Sequence, residues 1–275
     1  MSLIKSILYG IISGISEILP ISGSAHKALS MHLFGLTQRQ NLRDLLIHIA
    51  VLVAVILSCK EQLSGIASAR NQLRSHKSAR RKSVGLWLYD YRILKAAAFP
   101  LVILLLLSLV TNNWSCKLPV LALFLVVNGI ALIVPEHARQ GNKDARELSG
   151  FDGVMMGILG AFSVLPGISR TGISFAYCSL RGADRQKAVD WVIMLSIPAM
   201  LLFAVLDVVY IIAYGFAVAG FVDFLGCLLS GVAAYAAAHF GIWTFRRILS
   251  FGGYDWFAYY SWGVAILAFA LYLIV

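Results

Sequence analysis

Residues Gly10–His32 read GIISGISEILPISGSAHKALSMH, and the way this stretch is broken decides the fold. It is an apolar run interrupted by Pro20 and the turn Ser22-Gly23-Ser24. One carboxylate, Glu17, stands just before the break and His26 just after it. Proline has no backbone N–H and cannot continue a helical ladder. In a bilayer the freed backbone groups and the carboxylate all need polar partners, so such a stretch persists only where it lines a cavity enclosed by protein. A second break lies at Leu165–Gly172, LPGISRTG, and carries a cation, Arg170, in place of the carboxylate. The two breaks are expected to meet and form one anion site.

The rest of the chain places both breaks inside a membrane. Of 275 residues, 60% are hydrophobic and 13% are charged, with a mean hydropathy of +0.82. A soluble domain carries about 25% charged residues and about 45–50% apolar ones. Long apolar runs recur to the last residue, which implies an all-α polytopic membrane protein, a single membrane domain over residues 1–275. The opening segment lacks a small-residue cleavage site and so does not read as a cleavable signal. The net charge of +10 falls mostly in connecting segments. That is what membrane orientation demands, and it argues against a nucleic-acid partner. Cys59, Cys116, Cys178 and Cys227 have no metal-type spacing; Cys178 and Cys227 read as small core residues.

Spans of about 17–25 apolar residues cross a bilayer. Those expected here are Leu42–Ser58, Ile93–Val110, Leu118–Val134, Ala188–Ile212, Gly220–Trp243 and Tyr254–Val275. The polar stretches Lys60–Arg92 (with Arg70, Arg74, Lys77, Arg80, Arg81 and Lys82) and Glu136–Gly150 (with Arg139, Lys143 and Arg146) are expected on the cytoplasmic side. A turn at Asn112-Asn113-Trp114-Ser115 joins the second and third spans. Arg181, Arg185, Lys187, Arg246 and Arg247 then fall on the same side as the polar stretches. This bookkeeping works only if Met1–Gly35 and Gly150–Leu180 are re-entrant helix hairpins that leave by the face they entered. Gly14–Pro20 also lines up with Gly160–Pro166, and each hairpin precedes three spans. The expected architecture is about six transmembrane helices plus two re-entrant hairpins in an inverted-topology repeat. Its halves are residues 1–135 (hairpin 1–35) and 150–275 (hairpin 150–180). Such repeats place substrate near mid-membrane, where broken helices point their ends at one another.

The chemistry follows from those ends. A helix start exposes unpaired N–H groups and the positive end of the dipole, a ready site for phosphate. In Pro166–Gly172, Ser169 and Thr171 add hydroxyl donors, Gly167 and Gly172 add flexible backbone, and Arg170 adds a guanidinium that grips phosphate oxygens in a fork. Glu17 can hold a divalent cation, act as a base, or simply pair with Arg170. Ser22 and His26 are four residues apart and share a helix face, which suits His-assisted activation of a hydroxyl. The alternative for His26 is a ring hydrogen-bonded within the bundle. His48 and His239 read as core hydrogen-bonding residues, and Asp207 as a buried carboxylate that pairs across the bundle or lines a cavity.

SEILPISGSAH (Ser16–His26) and LPGISRTG (Leu165–Gly172), in this order and at this separation, resemble the two signature motifs of the undecaprenyl-diphosphate phosphatase family of the bacitracin-resistance type. The likeness runs the length of the chain. It implies a bacterial inner-membrane fold of six spans and two re-entrant hairpins. The implied enzyme removes the terminal phosphate of undecaprenyl diphosphate, or a related polyprenyl diphosphate, at the outer face for cell-envelope synthesis, with a divalent cation, Mg2+ or Ca2+. The motif residues fall on Glu17, Ser22, His26, Pro166, Gly167, Ser169, Arg170 and Gly172. The expected catalytic set is Glu17, Ser22, His26 and Arg170, with Glu17 also on the metal. Ser24, Gly167, Ser169, Thr171, Gly172 and Ser174 are expected to bind substrate, and a second copy of the chain is left open as a partner. This sequence departs from the pattern at four places. Ser13 replaces a Glu or Gln, Gly23 replaces the serine often proposed as nucleophile, Gly160 replaces a glutamine, and Ser174 replaces a threonine. With Gly23 there, either Ser22 or Ser24 takes the nucleophile's place or water attacks directly, and water is the expected nucleophile. A different class of function, a polyprenyl-phosphate transporter or flippase that has lost hydrolysis, is the alternative that Ser13 and Gly23 favour, while the retained Glu17, His26 and Arg170 favour the enzyme.

Overall fold

The computed structural model describes residues 1–36, 39–74, 82–111, 117–137 and 141–274. The expected turn at Asn112–Ser115 lies outside them, as do Cys116, Lys77, Arg80, Arg81 and Arg139. The described chain is helical apart from turns, one short 3-10 segment and two isolated bridges. Its helices are α1 (Leu3–Ile18), α2 (Gly23–Phe34), α3 (Asn41–Ser58), α4 (Lys60–Arg74), α5 (Lys82–Leu105), α6 (Ser108–Thr111), α7 (Leu118–His137), α8 (Gly150–Ala161), α9 (Arg170–Leu180), α10 (Arg185–Met194), α11 (Ser196–Tyr214), α12 (Phe221–Phe251) and α13 (Asp255–Ile274).

Among the described residues, five helical stretches are long and apolar enough to cross a membrane: Asn41–Ser58, Leu118–His137, Arg185–Tyr214, Phe221–Ile248 and Asp255–Ile274. The protein is a multi-pass membrane protein. The expected span Ile93–Val110 is not among the five. Its helix, α5, begins eleven residues earlier at Lys82, carries Asp90, Arg92 and Lys95, and ends at Leu105 before a turn and the short α6. The expected span Ala188–Ile212 is two helices that part at Leu195. Pro198 explains this: it has no N–H to offer the Met194 carbonyl one turn back. The polar stretch Lys60–Arg92 is not a loop where it is described, since α4 and the first half of α5 pack against each other. Likewise Arg246 and Arg247 lie within α12, which continues to Phe251.

Both broken stretches fold as two short helices packed on one another. α1 and α2 are joined through Leu19–Ser22, and α8 and α9 through the 3-10 turn Phe162–Val164 and Leu165–Ser169. Each hairpin is tied at its open end. Lys5 Nζ donates to the Phe34 carbonyl at 3.1 Å, and Arg181 Nε and Tyr177 Oη both reach Asp152 Oδ1, at 2.6 and 3.0 Å. Asp152 also closes a reciprocal cap with Ser149 that starts α8.

Small residues let these arms sink into long helices. α1 lies on α12 with Gly10 and Gly14 against the backbone of Ser230 and Ala234. A Cβ on Gly14 would sit 2.7 Å from the Ala234 Cα. α8 lies on α5 in the same manner, with Gly157 against Ala97, where a Cβ would sit 2.9 Å from the Cα. Glycines four apart on one face are how membrane helices approach closely. Side chains such as Ile212, Phe221 and Val232 project outward from α11 and α12, as a lipid-facing surface requires.

Candidate active site

The two breaks meet against the middle of α7, and one side chain joins them. Asn128 is fully buried. Its Oδ1 accepts from the Ser169 backbone N–H at 2.8 Å. Its Nδ2 donates to Ser261 Oγ at 3.0 Å and to the Pro20 carbonyl at 3.4 Å. Each break therefore satisfies one freed backbone group on the same amide, the polar partnering that a broken helix in a membrane needs.

Helices α2 and α9 start alike. Ser22 caps α2 by accepting from the Ala25 N–H at 3.4 Å, and Ser169 caps α9 by accepting from the Gly172 N–H at 3.2 Å. Each cap hydroxyl also lies 3.2 Å from the hydroxyl two residues on, Ser24 in one case and Thr171 in the other. The turns differ in backbone. Ser22 has φ 71°, a left-handed value that a residue with a Cβ adopts at a cost of about 1–3 kcal/mol. Gly167 supplies the positive φ in the second break (106°), and a Cβ there would meet the backbone of Leu121 and Leu125 at 2.9 Å.

A cavity of about 590 Å³ lies where these helix starts converge. Of the residues expected at the site, Glu17, Ser24, Ser169, Arg170 and Thr171 line it, together with Gly23. Arg170 is buried, and its guanidinium donates to the Glu17 carbonyl and to Ser196 Oγ, both at 3.1 Å. Its Nη1 lies 3.9 Å from Glu17 Oε2, a loose ion pair, and its Nε is a buried donor with no partner among the described residues. A buried N–H left open in this way is what an anionic ligand would fill. On its other side the Glu17 carboxylate rests against Gly23. A Cβ on residue 23 would lie 2.7 Å from Glu17 Cδ, so the missing side chain is the space the carboxylate occupies.

The other expected site residues lie elsewhere. Ser22 and His26 do not line the cavity. His26 Nδ1 meets the Ser22 carbonyl at 2.9 Å, not its hydroxyl, so the expected His–Ser hydroxyl pair does not form. Four-residue spacing puts the ring over the preceding turn, where the carbonyl is the nearer oxygen. Ser174 Oγ donates to the Met156 carbonyl at 3.0 Å and faces Gly160, so it fastens α9 to α8. Gly172 is packed between Leu132 and Pro20, and its carbonyl accepts from Tyr254 Oη at 3.3 Å. Gly167 and Gly172 thus allow close packing and do not line the cavity. Ser13 is buried without a hydroxyl partner among the described residues, also away from the cavity.

Two further cations line the cavity that the motifs did not single out. Lys27 pairs with Asp44 at 2.7 Å, and Asp44 also accepts from Tyr9 Oη at 3.0 Å. Arg39 stacks on the Tyr210 ring, 3.9 Å from its centroid, and pairs with Asp207 at 2.7 Å. Asp207 is fully buried and its second oxygen meets His48 Nδ1 at 2.5 Å. The expectation of Asp207 pairing across the bundle and His48 hydrogen bonding is met by one contact, although His48 lines the cavity too. Lys27 was legible as a cation one turn after Gly23. Arg39 carried no local signal.

No group of three or more His, Cys, Asp or Glu side chains suited to a metal occurs among the described residues. Glu17 is the carboxylate in the described lining. A Mg2+-type ion commonly takes one or two carboxylates and fills its remaining positions with substrate phosphate and water. The residues present therefore fit a cation that arrives with its phosphate, not one held by a protein cage.

A family model described as bacitracin resistance protein BacA matches residues 6–267. An undecaprenyl-diphosphatase of Carboxydothermus hydrogenoformans is 27% identical over 273 residues, covering 97% of each chain. One of Shouchella clausii, undecaprenyl-diphosphatase 1, is 29% identical over 98% of this chain and 96% of its own. Another, of Methanobrevibacter smithii, is 29% identical over 98% of this chain and 97% of its own.

Proposed function

The chain belongs to the bacitracin resistance protein BacA family, and from that premise we propose that its chemistry takes place in the cavity between the two broken hairpins. The protein is a membrane phosphatase acting on undecaprenyl diphosphate. The observation that carries the site assignment is the buried Arg170, with an open N–H and a carboxylate 3.9 Å away, where two helix starts converge.

The diphosphate binds with its terminal phosphate against Arg170, Thr171, Ser169 and Ser24. The backbone N–H groups at the starts of α2 and α9 add the positive ends of two helix dipoles. The guanidinium stabilises charge as it builds on the phosphoryl oxygens during transfer, which is where most catalytic advantage in phosphoryl transfer arises. Water attacks the terminal phosphorus as the anhydride P–O bond breaks, giving inorganic phosphate and the lipid monophosphate. Glu17 takes the water's proton. A divalent cation held by Glu17 and phosphate oxygens would supply further charge neutralisation. Met31, Leu105, Leu109, Phe203 and Leu206 form an apolar part of the lining and offer a path for the first isoprene units.

The site is proposed to face the outer side of the bacterial inner membrane, within an inverted-topology repeat. Burial of α1 on α12 and α8 on α5 through paired glycines supports the repeat, because exchange of the two halves would generate the one contact from the other. The function is tested by phosphate release from undecaprenyl diphosphate by the purified protein, with and without chelator. Absence of release under any condition would overturn the reading. For orientation, a cysteine introduced at the exposed Asn142 in a cysteine-free background should resist an impermeant thiol reagent outside intact cells. Labelling there would reverse the orientation.

A further inference from the structure

Resting on that reading of the cavity, we infer that His26 is a positioning residue. Anchored by Tyr260, it holds the turn that starts α2 and does not exchange protons with substrate. The Ser22 carbonyl can only accept hydrogen bonds. It takes the His26 backbone N–H at 3.3 Å and lies 2.9 Å from His26 Nδ1. Nδ1 therefore carries the ring proton, and in the neutral imidazole Nε2 is the acceptor. Nε2 lies 2.7 Å from Tyr260 Oη, whose hydroxyl donates to it. The two rings are nearly parallel, 7° apart with centroids at 5.6 Å. Both nitrogens are thus committed, and the ring is buried outside the cavity lining. A general acid or base must come within hydrogen-bond reach of the proton it moves, directly or through a water.

What the imidazole does touch is a turn under backbone strain. Ser22 is a non-glycine residue at φ 71°, and the carbonyl of that residue is the atom the ring grips. Immediately after it, Gly23 and Ser24 face the cavity, and Gly23 seats the Glu17 carboxylate. A line of contacts therefore runs from Tyr260 on the last helix through His26 to the backbone that presents the first helix start to phosphate.

The test is a substitution series in the full-length protein, read as kcat and KM for phosphate release, with folding checked by thermal melting in detergent. His26→Asn keeps an N–H donor near the place of Nδ1 but has no titratable ring. His26→Gln and His26→Ala do not reproduce that donor. The Asn variant should retain kcat within about tenfold, while Gln and Ala fall by about 10²-fold or more, a loss of the size that about 1 Å of misplacement produces. An acid–base role would instead drop all three together by about 10²–10⁴-fold. Equal loss in folded Asn and Ala variants overturns the inference. Should the Asn variant not fold, Tyr260→Phe decides: it leaves the imidazole intact and frees Nε2. A several-fold fall in kcat supports positioning, and an unchanged or higher kcat refutes it. A folded parent protein that releases no phosphate overturns the functional reading and this inference with it, whereas equal loss in the variants of an active parent overturns this inference alone.

Discussion

Gly23→Ala probes how the Glu17 carboxylate is placed. The added Cβ would stand 2.7 Å from Glu17 Cδ and 3.2 Å from Oε2, and closer still to Oε1. Non-bonded carbons settle at about 3.5–4.0 Å, so the carboxyl group must withdraw by about 1 Å. It can do so, because what yields is the far end of a flexible side chain and not backbone. The withdrawal strains Glu17 by about 0.5–1.5 kcal/mol if a torsion leaves its well. Replacing glycine in a helical conformation returns about 0.4–1 kcal/mol through the unfolded chain. Stability should thus change by less than about 1 kcal/mol, and the melting temperature by only a few degrees. Activity should not be spared: displacement of a reacting group by about 1 Å costs on the order of 10²-fold. Purified Gly23→Ala and Gly23→Ser, assayed for phosphate release and melted in parallel with the parent, should show near-parental stability and a large fall in kcat. Parental activity in both would mean that the Glu17 position does not depend on the gap at residue 23.

Asn128→Ala should leave the Ser169 N–H and the Pro20 carbonyl unpaired in the core. At about 1–3 kcal/mol for each orphaned group, its melting temperature should fall clearly and activity with it; an unchanged melt would show that the breaks are held without this amide. Arg170→Lys keeps the charge but loses the planar fork, so it should be as inactive as Arg170→Ala while still folded, and substantial rescue by lysine would refute bidentate phosphate binding. Asp207→Asn removes the buried charge that holds Arg39 and His48. Breaking such a pair typically destabilises by about 3–5 kcal/mol, and urea or thermal unfolding indistinguishable from the parent would show that the pair contributes little.

The sequence by itself determined where the backbone breaks and what the breaks offer. Pro20 and Pro166 cannot donate, Ser22 and Ser169 are good caps, and Arg170 and Glu17 are too costly in lipid to be left alone. All of these are local facts, set by dihedral angles and by hydrogen bonds within a few residues. The apolar runs announced a polytopic bundle for the same reason, although the ends of α5 and α12 and the division at Leu195 moved when packing and Pro198 were taken into account. Only the tertiary structure decided which way each side chain points. Ser174 and Gly172 belong to the same motif as Arg170 yet face Met156 and Leu132. His26 turns to Tyr260 on the last helix, and Arg39 to Asp207 on α11. Asn128, the residue that joins the two breaks, stands in an apolar span with nothing around it in sequence to mark it. These contacts join residues from 18 to 234 positions apart. They follow from which helices pack together and with what rotation, a choice made by the whole bundle and carried by no single stretch of it.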